Sequence, residues 1–167
     1  MRHNFVRDSL GHALRSLVSG VQWERYIHEI VRVDGAEKSR LDLVVCDPES
    51  PALLDIVVFH ALQESGEATY KHRDYVRAKF QRYNHTRDGR HQLSLPLVAM
   101  VVSTFGVVDV DAVLYLQRVE KTARVRGRTF ASTPGGPRTL TQLVSYTAIL
   151  ECASIVTSAH KSASFCK

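Results

Sequence analysis

Apolar positions in residues 3–18 recur at helical spacing: Phe5, Val6, Leu10, Ala13, Leu14 and Leu17 fall on one face. Asn4 is a candidate N-cap, and Gly20 is the expected stop. Residues 21–33, with Trp23, Tyr26, Ile27, Ile30 and Val31, read as a first strand, bulged or broken. Asp34 and Gly35 form a turn dipeptide, and a charged loop runs on to Arg40. Two β-branched runs follow, 40–46 and 53–60, separated by a turn containing Asp47, Pro48, Glu49, Ser50 and Pro51. A connection this short suits a hairpin, hence antiparallel neighbours. On a two-residue period Asp42, Val44 and Cys46 share one face, and Asp55, Val57 and Phe59 share one face.

From residue 67 to 83 the period becomes helical. Ala68, His72, Tyr75, Val76, Lys79, Phe80 and Tyr83 make one stripe, with Arg73, Asp74, Arg77, Gln81 and Asn84 opposite. Lys79 is therefore a lysine on the inward stripe. Residues 86–92 are a polar loop around Gly89. Residues 95–103 are apolar without alternation, as in a strand covered on both faces, with Pro96 at its start. Phe105 and Gly106 close it. Asp109 or Asp111 is placed to cap a helix over 112–124. Residues 124–138 read as a basic flexible loop, with Arg124, Arg126 and Arg128 either solvated linker residues or, less favoured, nucleic-acid contacts. A last helix covers 140–158, and the tail beyond His160 is expected to fray. The order predicts one α/β domain: a mixed sheet flanked by helices, with two helices closing the chain.

Composition narrows the function. At 167 residues, 44% hydrophobic and 23% charged, the chain can build a single core. The apolar run from Leu97 to Val102 is far too short to span a bilayer, and the first residues lack a signal-peptide core. An intracellular protein without membrane contact is expected. A net charge of +5 and a pI near 9.3 are compatible with a nucleic-acid partner. Cys46, Cys152 and Cys166 are too far apart for a zinc motif or a disulfide framework, and His85 and His91 have no cysteine nearby.

The chemistry lies in the hairpin. Aspartate is depleted in strands, and a buried carboxylate needs a partner or a metal. Opposed residues of an antiparallel pair have Cβ atoms about 4.5–5.5 Å apart. Asp42 and Asp55 at that distance repel unless a cation sits between them. Two hard carboxylates suit Mg2+ or Mn2+, which prefers a few such ligands with water and phosphate. The Ile56 carbonyl is a candidate further oxygen. Lys79 can orient a water or neutralise a developing negative charge. Glu24 and Glu29 are further carboxylates in the preceding strand region. The structural alternative is an ion pair of Asp42 with Arg40 or Lys79. Arg73, Arg77, Arg82 and Arg87 form a basic helix run, read either as a solvated face or as phosphate contacts.

In order, these residues resemble a known family: the PD-(D/E)XK restriction-like nucleases, and more narrowly the restriction-like endonuclease domain of site-specific non-LTR retrotransposons. Arg2-His3-Asn4 with Val6 and Leu10 looks like the family's opening helix. Arg40-Leu41-Asp42-Leu43-Val44 resembles its basic-Pro-Asp-hydrophobic motif, and Leu54-Asp55-Ile56-Val57-Val58 its second acidic strand. Ala78-Lys79-Phe80-Gln81-Arg82-Tyr83 resembles its Lys-x-x-Lys-Tyr helix. Pro96-Leu97-Val98 and Gly106 also fit. The likeness covers residues 2–120. It implies an αβββαβ restriction-endonuclease-like core, here residues 1–122, followed by the loop 123–138 and a C-terminal helix and tail, 139–167.

The resemblance further implies a magnesium-dependent endodeoxyribonuclease with catalytic Asp42, Asp55, Lys79 and Glu24. Asp42 and Asp55 would be the metal ligands, and Arg40, Arg73, Arg77 and Arg82 would contact nucleic acid. The implied partners are DNA, RNA, an upstream reverse transcriptase region and a second copy; the implied compartment is the nucleus. The chain departs from the family at Leu41, in place of proline, and at Ile56 and Val57, where the wider fold has acid-x-lysine. Arg82 replaces the second lysine, and Ser103 stands where many relatives carry glutamate. Those departures raise a second reading, an inactive nucleic-acid-binding module. A protein-interaction subunit is a third.

Overall fold

Strand burial shows why the middle of the chain forms a sheet. Along Ala52–Phe59 seven of the eight residues are buried, and along Leu97–Ser103 six of seven, the pattern of strands covered on both faces. The computed structural model describes residues 4–26, 40–60, 72–84, 95–131 and 134–164; for Tyr26, 82–84 and 155–164 it describes the backbone alone.

The elements are α1 (Asn4–Leu17), β1 (Val21–Tyr26), β2 (Arg40–Val45), β3 (Ala52–Phe59), α2 (His72–Asn84), β4 (Leu97–Ser103), α3 (Val110–Val125) and α4 (Leu140–Ser164). The coarse expectation holds among the described residues: an α/β protein with one four-stranded mixed sheet and four helices. The sheet order is β1-β2-β3-β4. β1 and β3 run antiparallel to β2, and β4 runs parallel to β3.

The two faces of the sheet are covered differently. Leu43 and Val45 of β2, Leu54, Ile56 and Val58 of β3, and Met100 and Val102 of β4 pack on one face. There they meet Val6, Leu10, Leu14 and Leu17 of α1, Leu116 and Val119 of α3, and Leu140 and Val144 of α4. The opposite face carries a smaller cluster of Phe59, Ala99 and Val101, against which Val76 of α2 packs. The Phe59 ring meets His72 edge-on at 4.7 Å and Tyr75 at 4.9 Å between centroids. These contacts dock α2 with Lys79 above β3.

Three boundaries have identifiable causes. Pro96 lies just before β4, where its carbonyl accepts from Leu53 N–H at 2.9 Å. After β4 the chain turns at Gly106, which has a positive φ of 80°. A Cβ there would meet Ile149 Cδ1 at 2.9 Å, so glycine suits both the turn and the space. Asp109 then caps α3, its side chain accepting from Asp111 N–H at 3.0 Å.

Several expected features lie partly or wholly outside the described residues. The helix expected over 67–83 is described as His72–Asn84, and the expected strand 21–33 as Val21–Tyr26. Arg2, His3, Glu29, Ala68, the polar loop 86–92, Arg87, His85 and His91 lie outside the described residues, as do the side chains of Arg82 and Tyr83.

Candidate active site

The ladder between β2 and β3 pairs Val45 with Ala52, Val44 with Leu53, and Leu43 with Leu54. One further step would pair Asp42 with Asp55, and the registered pairing ends there. The separation has a visible agent. Asp42 Oδ2 accepts from Ile56 N–H at 2.6 Å, so a side-chain carboxylate takes over where backbone partners would otherwise bond.

Asp55 is 3% exposed. Desolvating a lone carboxylate there would be costly, and the compensation comes from α2. Lys79 Nζ donates to both carboxylate oxygens, at 2.7 and 2.8 Å. Lys79 itself is largely covered, with 18% of its side chain exposed. The helical stripe that pointed Lys79 inward thus delivers it to the second aspartate. Lys79 grips Asp55, and Arg40 reaches Glu24 at 3.4 Å.

Glu24 belongs to the same end of the sheet. Its neighbours Trp23 and Arg25 pair with Leu43 and Leu41, so its position along β1 matches that of Asp42 along β2. Glu24 has a φ of 51°, unusual for a residue of this type. Two arginines hold it there, Arg7 from α1 and Arg40 from β2. Arg7 also donates to Asp8 at 2.8 Å. That bond chiefly raises the Arg7 pKa against the opposing effect of burial, and the negative charges of Asp8, Glu24 and Asp42 add to the rise. Arg7 is a site residue that the sequence reading missed, because it lies on the edge of an otherwise ordinary amphipathic helix.

The remaining expected residues divide clearly. Arg73 and Arg77 are exposed on α2. Ser103 pairs with Phe59, four residues beyond Asp55 on β3, roughly 13 Å along the sheet at strand rise. Its hydroxyl accepts from Val107 N–H at 3.1 Å within the turn. Ser103 therefore serves the end of β4 and lies away from the aspartates.

The donors at this end of the sheet are carboxylate oxygens, which suit a hard cation such as Mg2+ and not a soft one. Among the described residues, no group of three or more His, Cys, Asp or Glu is placed to hold a metal. A cation here would rest on Asp42 and Asp55 and would draw its other ligands from water and phosphate.

A second buried carboxylate, Asp47, has a different role. It is fully buried and accepts from Ser19 N–H at 3.1 Å, Glu49 N–H at 3.0 Å and Arg126 Nη1 at 2.5 Å. Burial pushes its pKa upward. The Arg126 hydrogen bond and those from Ser19 and Glu49 outweigh that, holding the carboxyl well below the usual range. Arg126 also reaches Glu49 at 3.0 Å. Reading residues 124–138 as a solvated basic loop missed this pair: α3 continues to Val125, and Arg126 ties its end to the β2–β3 turn.

Compared with known proteins, the chain matches no family model and no curated sequence.

Proposed function

We propose that this chain is a metal-dependent DNA endonuclease domain, hydrolysing phosphodiester bonds and nicking target DNA for the integration of a retroelement. The single observation that carries the reading is the Lys79 fork on buried Asp55, at the point where the β2–β3 ladder parts beside Asp42. Together with the order of the elements along the chain, it supports a core of the restriction-like type.

Asp42 and Asp55 would hold Mg2+ or Mn2+. When bound, such an ion acts as a Lewis acid and makes water nucleophilic at neutral pH. Lys79 then has two tasks. Its ammonium offsets part of the negative charge that builds on the phosphate, and it keeps the Asp55 carboxylate in one orientation. Glu24, gripped by Arg7 and Arg40, is the upstream acid, a weaker candidate because both oxygens already answer cations. Arg73 and Arg77 on α2, with Arg40 and Arg82, are the phosphate-contacting set. DNA is the proposed partner; RNA, an upstream reverse transcriptase region and a second copy are further proposals from the same resemblance.

Incubating the protein with supercoiled plasmid and Mg2+ or Mn2+ tests the reading. The expected result is conversion to nicked circles, abolished by chelator and reduced at least about 100-fold in Asp42→Ala and Asp55→Ala, the scale of losing a major transition-state contact. Equal cutting by parent and variants would remove the site assignment.

One observation favours a second reading. Lys79 engages both Asp55 oxygens at once, as a purely structural pair would. An inactive nucleic-acid-binding module predicts salt-sensitive DNA binding without chelator-sensitive cleavage.

A further inference from the structure

At the opposite end of α1 from Arg7, Leu17 forms one wall of a cavity of about 120 Å3. Arg124, Arg128 and Arg138 line it together with a single acid, Glu120. That acid is already engaged, since Glu120 Oε1 accepts from Leu140 N–H at the start of α4. Two further backbone donors there are also used: Gln142 N–H bonds Thr139 Oγ1 at 3.1 Å, and Arg138 N–H bonds Gln142 Oε1 at 2.7 Å. The start of the helix is thus capped, and the remaining attraction for an anion comes from the guanidinium groups.

Among the described residues, the guanidiniums of Arg124 and Arg138 make no hydrogen bond or ion pair, and Arg128 makes only a long bond of 3.4 Å to the Leu17 carbonyl. Arg126, in the same basic run, behaves otherwise and is spent on Asp47 and Glu49. Three cations therefore border one concave space with their charge largely uncompensated. The volume far exceeds the roughly 10–15 Å3 needed for one water and admits a tetrahedral oxyanion. Guanidinium forks match phosphate oxygens in geometry as well as charge.

We propose that this cavity binds a phosphate oxyanion and, resting on the nuclease reading above, that the oxyanion is a backbone phosphate of DNA. Leu17 lies ten residues beyond Arg7 on α1, roughly 15 Å at helical rise. A duplex covers that distance in about four steps of 3.4 Å, so DNA lying along α1 can meet this cavity and the Arg7 end of the helix together.

The test uses the full chain and an Arg124→Gln/Arg138→Gln variant. Both side chains are exposed, so folding should be unchanged, which circular dichroism checks. Thermal melting is followed with inorganic phosphate against chloride at matched ionic strength. Binding of a fluorescein-labelled duplex is followed by anisotropy across a salt series, without divalent metal. The expected result is that phosphate raises the melting temperature of the parent and not of the variant. The variant's Kd for DNA should rise about tenfold, and its logarithmic salt dependence should be shallower by about 1, the scale of one lost phosphate contact. Loss of the phosphate response with unchanged DNA affinity keeps the oxyanion site and rejects DNA as its source. Indifference of both measurements to the substitutions overturns the proposal. Asp42 and Asp55 are intact throughout and no metal is present, so a parent that fails to cut plasmid leaves these outcomes readable.

Discussion

Asp47 and Asp55 are both buried, and the chain answers them in opposite ways. Asp47 is surrounded by fixed donors, including two backbone N–H groups and Arg126. Asp55 is gripped by the Lys79 side chain from a helix. The first arrangement draws on the backbone, the second on a side chain of α2. The Asp47 carboxyl is held below its ordinary value, so its contribution to stability is fully present above about pH 4, the unfolded carboxylate range. It is lost as pH falls through the lower folded value. Melting temperature should thus decline on acidification below about pH 4, and Asp47→Asn should flatten part of that decline. Asp47→Ala, which strands the N–H groups of Ser19 and Glu49, should cost on the order of 2 kcal/mol in denaturant titrations. For the other pair, Lys79→Ala should lower the melting temperature by leaving Asp55 buried without its cation. Millimolar Mg2+ should restore part of the loss if the aspartates form a cation site; a variant indifferent to Mg2+ contradicts that role. Asp55 and Lys79 were legible in the sequence because an acid in a β-branched run and a lysine in an apolar stripe are both out of place. Asp47 was not, since an aspartate before proline reads as a solvated turn.

The elements were legible wherever one period dominated. α1, β2, β3, β4 and α3 lie close to where their apolar spacing put them, and the antiparallel hairpin follows from its short turn. The parting of β2 from β3 was not legible, because a carboxylate that bonds the neighbouring strand's N–H leaves no mark on periodicity. Nor was the left-handed backbone of Glu24, which a sequence reveals only when glycine or asparagine occupies such a position. The seat of α1 on β1 was equally hidden. A Cβ on Gly11 would lie 2.4 Å from Trp23 Cζ2, and Arg15 stacks over the same ring at 4.4 Å. Gly11→Ala should therefore destabilise the protein by about 1–3 kcal/mol through overpacking, despite alanine's better helix propensity. A chemical-denaturation midpoint that rises in this variant would show that Trp23 can move aside.

On the scale of the molecule, the sheet separates two kinds of work. One face is packed against α1, α3 and α4 and carries most of the hydrophobic core. Among the described residues, the other face is covered more thinly by α2 and holds Lys79 against Asp55. The proposed active centre would gain rigidity from the thick layer and its lysine from the thin one. Ile56→Ala, in the thick layer and fully buried, should cost about 2–5 kcal/mol. The central claim is that Asp42 and Asp55 jointly form a cation site, and calorimetric titration of Mn2+ into the purified protein tests it most directly. The account predicts one ion bound per chain, with binding lost in both Asp42→Asn and Asp55→Asn. Absent binding, or binding that both variants retain, would contradict it.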